Sequence, residues 1–435
     1  MIIDQMISYA DDVEKSVRGA LQSTAAQRGE LALSAHNIHR TVVADYLPRR
    51  ALRQSGVFFT PTNWARRLVA LAQQCAPIRA VTAFDPACGA GDLLLECARK
   101  AGPRKTIAGT LKFWGKLLGG ADIHPSLVRA TQLRLVALAL HLCRGVNEEQ
   151  DLDRLVAALP NFTSADYLAV EPGDFDWKIA LMNPPFIKVP APDGCQWASG
   201  SVNAAAVFLE RALAQAKPNA VVGALLPDVL RTGTLYEGWR REIGSISRIH
   251  HCVSLGQFAR DADVDVFLLV AKKTKLTAVR GFAWALPRKS AAELRVSSKF
   301  DVHVGAVVPH RHKKTGPLVP YLDAHDGTDR ASVRSISSRR KFNGTLYKGP
   351  FVAIRRTSSP KDKMRARGLA YLGNQEVAVE NHLIVAIPKK PSSRACKRLL
   401  RVLQCSRTNT WLNRRIRCRH LTVGSVEGLP LWGWK

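Results

Sequence analysis

Three short stretches hold residue types that can do chemistry together. The most informative is Asn183-Pro184-Pro185-Phe186, directly after the apolar run Lys178-Ile179-Ala180-Leu181-Met182. Two consecutive prolines fix φ twice and remove two backbone donors. They hold carbonyl oxygens in a rigid, outward-facing arrangement. An Asn side-chain oxygen beside such carbonyls makes an acceptor pair for an exocyclic amino group. Phe186 offers a flat face on which a base can stack. A proline-rich turn after a strand is the plainer reading. An Asn at the strand's carboxyl end with an aromatic beside it makes that the minority one.

The second stretch is Asp85-Pro86-Ala87-Cys88-Gly89-Ala90-Gly91-Asp92, after the β-like run Val81-Thr82-Ala83-Phe84. Its glycines let the backbone turn tightly and approach a ligand with no Cβ in the way. The following helix N-terminus favours an anionic group. It is neither G-x-G-x-x-G nor a Walker loop, and a tight βα turn without a ligand explains it equally well. The third is Asp122-Ile123-His124. An acid after the second strand can accept hydrogen bonds from ribose hydroxyls. It lies 37 residues after Asp85, where a dinucleotide unit has about 20. An insertion over 102–115 accounts for the excess. Asp122 serves equally well as a cap for the helix that begins at Pro125.

Positioning these groups requires strands that end where the groups begin. Apolar runs at 81–84, 117–122, 178–182, 220–226 and 264–270 alternate with helical stretches at 93–98, 126–143 and 204–216. Such alternation predicts an α/β fold with a doubly wound, mostly parallel sheet. Ligands in such sheets sit beyond the carboxyl ends of the strands, where all three stretches fall. Residues 1–45 read as helical, with Val13, Val17, Leu21, Leu31 and Leu33 near helical spacing, and a packing or capping role is expected.

The chain has 435 residues, which implies two domains or three, and its 46% hydrophobic content suffices for a core. Its formal charge is +29, and an excess that large calls for a polyanionic partner. From Leu276 to Lys435 there are 32 basic and 9 acidic residues, against 32 and 26 in the rest. The excess is thus concentrated in the last third, which marks a domain boundary. There the basic residues interleave with aromatic and β-branched ones, as in Lys348-Gly349-Pro350-Phe351-Val352-Ala353-Ile354-Arg355-Arg356, which favours a nucleic-acid-facing surface over a solvated charge run. Arg414, Arg415, Arg417, Arg419 and His420 form a second basic strip, equally readable as a solvated helix face. The first residues lack the pattern of a secretory signal, and no apolar run is long enough to span a bilayer. Nine scattered cysteines with no C-x-x-C pair point to reduced thiols and no metal site.

Asp85-Pro86-Ala87-Cys88-Gly89-Ala90-Gly91 followed by Asn183-Pro184-Pro185-Phe186 resembles the amino-group DNA methyltransferases, which use S-adenosylmethionine. The order of cofactor motif, Asn-Pro-Pro-aromatic and basic region is similar to the gamma class of restriction–modification N6-adenine enzymes. The resemblance is specific over most of residues 50–275, loose over the last 160 and faint over the first 45. It implies the class I methyltransferase fold, with a helical segment at 1–45, a catalytic domain at 46–275 and a basic α+β target-recognition domain at 276–435. Gly56-Val57-Phe58-Phe59-Thr60-Pro61 looks like the segment that covers the cofactor's methionine end.

The resemblance further implies cofactor contacts at Thr60, Pro61, Asp85, Ala87, Gly89, Gly91, Asp122, Ile123 and Asp166. It assigns catalysis to Asn183, Pro184, Pro185 and Phe186, and base stacking to Phe186 and Phe258, although a core role suits Phe258 as well. It assigns DNA contacts to Arg355, Arg356, Arg414, Arg415, Arg417 and Arg419. The stretches Arg355-Arg356-Thr357-Ser358-Ser359 and Val379-Glu380-Asn381-His382-Leu383-Ile384 are similar to target-recognition regions. The expected partner is double-stranded DNA, bound by a monomer in a prokaryotic or phage-infected cytoplasm, with any restriction nuclease on a separate chain. RNA or the N4 amino group of cytosine is the alternative acceptor, and an inactive DNA-binding scaffold is the alternative of another kind.

Overall fold

Short apolar runs bounded by glycine, proline or aspartate become strands, and the longer periodic stretches between them become helices. This is seen in a computed structural model that describes residues 2–24, 27, 30–32, 59–78, 81–143, 151–170, 175–258, 264–274, 282, 284, 294–324, 332–417 and 419–434. The chain divides into two units. One is Met1–Leu230 with Leu235–Phe282, and the other is Arg231–Thr234 with Ala283–Lys435.

The first unit is built on strands β1 (Ala83–Asp85), β2 (Leu118–Asp122), β3 (Phe162–Ser164), β4 (Ile179–Met182), β7 (Val221–Pro227), β8 (Ser247–Gln257) and β9 (Asp265–Lys273), with a separate hairpin of β5 (Lys188–Pro190) and β6 (Ser201–Asn203). The main sheet runs β3-β2-β1-β4-β7-β9-β8. The first five strands of that order are parallel, and β9 runs antiparallel to both β7 and β8. β4 and β7 are buried along their whole length, which explains why they read as continuous apolar runs.

Helices α1 (Ile2–Gln22), α2 (Thr62–Gln73), α3 (Asp92–Ala101), α4 (Ile107–Leu117) and α5 (Pro125–Leu142) belong to this unit. In α1, Met6, Tyr9, Ala10, Val13, Val17 and Ala20 are buried. That spacing is one helix face, and α1 packs on α5. Arg129 of α5 donates to Glu14 Oε2 through Nε at 3.2 Å and Nη2 at 3.1 Å. The insertion over 102–115 is mostly a packed helix. Thr106 caps α4 by accepting from Gly109 N at 3.0 Å, and Trp114, fully buried, donates to the Gly102 carbonyl at 3.1 Å.

The second unit contains a five-stranded sheet, β10-β18-β15-β16-β12, and a four-stranded sheet, β13-β11-β17-β14. The strands are β10 (Phe300–Val304), β11 (Leu318–Leu322), β12 (Ser332–Val333), β13 (Arg339–Lys341), β14 (Tyr347–Lys348), β15 (Phe351–Arg355), β16 (Gly368–Tyr371), β17 (Glu376–Val379) and β18 (Leu383–Pro388). Val352 and Ile354 pack with Leu399, Leu400 and Leu403 of a helix at Ser393–Gln404. Phe351 and Ala353 enter a second cluster with Tyr347, Val377 and Val379. β15 is therefore covered on both faces. Among the described residues, no helix is long and apolar enough to cross a membrane.

Candidate functional site

The order of the main sheet turns back between β1 and β4, since β2 and β3 lie on one side and β7 on the other. In open α/β sheets, ligands bind outside the carboxyl ends at such a switch point. β1 ends at Asp85 and its parallel neighbour β4 ends at Met182. The glycine turn and Asn183-Pro184-Pro185-Phe186 thus leave adjacent strands at the same edge.

The turn is held from three sides. Asp85 Oδ1 accepts from Ala87 N at 3.0 Å. Cys88 N donates to the Ala121 carbonyl at 2.9 Å, and Gly89 N donates to Asp122 Oδ2 at 2.9 Å. Thr131 Oγ1 donates to the Gly89 carbonyl at 2.7 Å. Arg134, 1% exposed, donates to the Ala90 carbonyl and, at 3.1 Å, to Asp92 Oδ1. Cys88 is buried, and burial pushes its thiol well up, as suits a packing residue.

Gly89 and Gly91 have φ of 51° and 83°, where an L side chain costs roughly 1–2 kcal/mol. A Cβ on Gly91 would lie 2.7 Å from Thr131 Cγ2, whereas one on Gly89 meets nothing within 4 Å. Gly89 therefore borders open space and Gly91 borders the helix behind. Gly91→Ala is expected to lower the melting temperature through this contact. Gly89→Ala is expected to change it less while weakening ligand binding about tenfold or more. Calorimetric titration with S-adenosylmethionine beside thermal melts checks both, and the same pattern in the two variants would contradict the assignment.

Asp122 does not cap the helix at Pro125: the cap position is His124, whose side chain makes no capping bond. Its Oδ1 instead accepts from His124 N at 3.0 Å. Each Asp122 oxygen thus has one backbone donor and keeps a second acceptor site. Ile123 beside it is 58% exposed. Ala165 N donates to the Asp122 carbonyl at 2.9 Å, which brings the exposed Asp166 to the same edge. Asp166 Oδ1 accepts from Leu168 N at 2.9 Å.

Burial, and then the nearby Asp122 and Asp92 carboxylates, push the Asp85 carboxyl well above the usual carboxylate range. The folded protein therefore holds this proton more tightly than the unfolded chain. The stabilisation is full below an unfolded value of about 4 and is lost as pH rises towards the elevated folded one. Asp85→Asn is expected to flatten that decline. Melting temperature against pH in the ligand-free protein checks this, and parallel curves for the two proteins would refute it.

The two motifs are joined by Thr60. Its backbone N donates to Asp92 Oδ2 at 3.0 Å, and its Oγ1 accepts from Asn183 Nδ2 at 3.0 Å. The donor end of the Asn183 amide is thereby turned towards Thr60, and Oδ1 is its acceptor end. Pro61 precedes α2, and its carbonyl accepts from Trp64 N and Ala65 N, both at 2.9 Å. Gly56-Val57-Phe58 lie outside the described residues.

Pro184 is buried, while Pro185 and Phe186 are half-buried. Asn203 Nδ2 donates to the Phe186 carbonyl at 3.2 Å. Phe258, suited to a stacking or a core role, packs against two aromatic rings. It is 6% exposed, and its ring meets Phe186 edge-on at 5.8 Å and 82° and Trp64 at 5.5 Å and 68°. This edge-on packing places Phe258 beside Phe186 as a core residue would be.

In the second unit, Arg355 ends β15. Residues 356–358 run beside 419–421: Thr357 bridges His420, Leu421 N donates to the Arg356 carbonyl at 2.8 Å and Ser358 N to the Arg419 carbonyl at 2.8 Å. The two basic strips are thus partly one surface. Arg355 pairs with Leu383 across β15 and β18, which joins the two stretches likened to target-recognition regions. Arg356 Nη1 donates to the Asn381 carbonyl at 2.9 Å, a structural use. Arg414 is exposed in the last turn of a helix at Ser406–Arg415. Arg415 lies over the Trp411 ring at 5.1 Å, and Arg417 is half-buried.

Sequence reasoning missed Asp92, Thr131 and Arg134. The available signal was an arginine inside the otherwise apolar Leu133–Leu140 run, since a lone charge there needs a partner.

No protein-family model matches the sequence, and no curated protein matches it. The main sheet is doubly wound and mostly parallel, with β9 as its reversed strand. Among solved structures, the type IIG restriction endonuclease BpuSI is similar over 94% of this chain and 61% of its own, at 14% identity and a TM-score of 0.45. A type I restriction-modification system methyltransferase subunit from Streptococcus thermophilus is similar over 59% and 52%, at 17% identity and a TM-score of 0.39. The type I restriction enzyme EcoKI M protein is similar over 62% and 67%, at 15% identity and a TM-score of 0.36. The chain spans 61% and 52% of the first two structures' own lengths.

Proposed function

We propose that the chain is an S-adenosylmethionine-dependent DNA methyltransferase that acts on the N6 amino group of an adenine flipped out of duplex DNA. In this reading it is the modification part of a restriction–modification system whose nuclease is a separate polypeptide. The observation that carries the reading is the link through Thr60, which ties the Asn183 amide to the first residue after the glycine turn.

The residues present fit the cofactor. Gly89 faces open space, Asp122 keeps acceptor capacity for ribose hydroxyls, and exposed Ile123 offers an apolar face beside it. Asp166 would accept an amino group, with Thr60 tied to Asp92 at the end of the turn and Pro61 next to it. Bound S-adenosylmethionine would supply a methyl group on a positively charged sulfur.

An adenine amino group is a weak nucleophile because its lone pair is delocalised into the ring. Asn183 Oδ1 and the Pro184 carbonyl would accept its two N–H bonds and favour a pyramidal nitrogen, with the lone pair released towards the glycine turn. Pro185 would keep that carbonyl rigid. The nitrogen loses one proton as it gains the methyl group, and two neutral oxygens are too weakly basic to keep it, so it passes to solvent. Phe186, propped by Phe258, would stack on the base, worth about 1–3 kcal/mol. The work is positioning and electrostatic complementarity. Taking the base out of the stack is needed because the amino group is out of reach inside a duplex.

The test is methyl uptake from labelled S-adenosylmethionine into duplex DNA and RNA, followed by digestion to nucleosides. N6-methyladenine in DNA is expected. Label confined to RNA, or to N4-methylcytosine, would replace the acceptor. Cofactor binding with no transfer to either polymer would point to an inactive scaffold.

A further inference from the structure

Helix α1 brings one polar side chain to the neighbourhood of the glycine turn. Tyr9 is 3% exposed, and its hydroxyl oxygen is enclosed with no hydrogen-bond partner among the described residues. Buried hydroxyls are rarely left so, because the group gives up its bonds to water and regains none. A packing role alone would be filled as well by phenylalanine. We propose that the Tyr9 hydroxyl is a positioning group for the cofactor, donating to the α-carboxylate on the methionine arm of S-adenosylmethionine. This rests on the methyltransferase reading and gives α1, otherwise a packing helix, a place in that site.

Two sets of contacts bring Tyr9 to the turn. Its ring meets Phe59 edge-on at 6.0 Å and 64°, and Phe59 precedes Thr60, whose backbone N is bonded to Asp92 Oδ2. On the other side α1 packs on α5. That helix carries Arg134, which holds the Ala90 carbonyl and Asp92 Oδ1. Arg134 and Asp92 are the charged groups that act on the Tyr9 hydroxyl. Burial, the larger effect, pushes it up to about 12, while Arg134 draws it down and Asp92 adds to the rise. The group therefore keeps its proton at neutral pH and has a hydrogen to donate.

In the proposed reading the adenosine lies at the ends of β2 and β3, beside Asp122 and Asp166, and the methyl group faces Asn183 at the end of β4. β1 stands between β2 and β4. The third arm on the sulfur, the amino acid, is then left at the end of β1, where the glycine turn, Asp92 and Thr60 meet. That arm carries an ionised carboxylate. A hydroxyl that keeps its proton is a donor to such a group, and a charge-assisted bond of this kind is roughly twice as strong as a neutral one.

The test is Tyr9→Phe in the full chain, titrated calorimetrically with S-adenosylmethionine, S-adenosylhomocysteine and methylthioadenosine. The first two carry the amino-acid arm and the last lacks it. The variant is expected to bind the first two about tenfold more weakly, and methylthioadenosine within about twofold of wild type. Its ligand-free melting temperature should be unchanged or higher, since the substitution removes only an unpaired hydroxyl. Unchanged affinity for all three ligands overturns the assignment and leaves the methyltransferase reading intact. An equal loss across the three does the same, because it marks a packing effect. A lowered ligand-free melting temperature also overturns it, by showing that the hydroxyl has an internal partner. Wild-type protein that binds none of the three overturns the functional reading itself, and the role of Tyr9 falls with it.

Discussion

Asn183→Ala is expected to slow methyl transfer by about a thousandfold or more while leaving S-adenosylmethionine affinity within a few-fold. Removing one preorganised acceptor or donor from a reacting centre typically costs about a hundred- to a thousandfold, and in the proposed reading Asn183 supplies both the acceptor and its orientation. The cofactor side loses little. Thr60 keeps its bond to Asp92 Oδ2, and its hydroxyl loses the contact to Asn183, a loss of about 1 kcal/mol. Asn183→Asp retains an acceptor oxygen and should keep more activity than the alanine variant. Single-turnover rates paired with calorimetric titration separate the two effects. An alanine variant within tenfold of wild type, or one that loses cofactor binding along with activity, would defeat the catalytic assignment.

The second large effect is on stability. Arg134→Met is expected to destabilise the first unit by about 3–5 kcal/mol, because breaking a buried pair strands the remaining charge. The Arg134 and Asp92 side chains are 1% and 10% exposed, and Arg134 also holds the Ala90 carbonyl. Adding Asp92→Asn removes the stranded charge while keeping an oxygen for Thr60 N. The double variant should recover a substantial part of the loss. Urea denaturation read on both variants is the measurement, and a single variant within about 1 kcal/mol of wild type would show the pair to be unimportant.

The parts of the site legible in the sequence are those set by local backbone. Asp85, Gly89, Gly91, Asp122 and Asn183 each follow a short apolar run, and strand ends in a doubly wound sheet fall where ligands bind. The parts hidden in the sequence are long-range. Thr60 and Asn183 are 123 positions apart, and no periodicity links them. The insertion over 102–115 read as a longer connection, because the cap at Thr106 and the buried Trp114 become visible only in the packed helix. Arg365 sits in Lys361-Asp362-Lys363-Met364-Arg365-Ala366-Arg367, which looks like an ordinary solvated charge run. Its burial follows from oxygens supplied by Ser358, Asn409, Asn413 and Ile416, none adjacent to it in the chain.

Strand β15 is sandwiched between two apolar clusters and delivers Arg355 at its end. A side chain mounted on so stiff a rod starts from an almost fixed root. In the proposed reading, the freedom it gives up on meeting DNA is confined to the swing of its own arm, at roughly 0.5–1.5 kcal/mol for one such side chain, with no added toll from quieting a floppy loop.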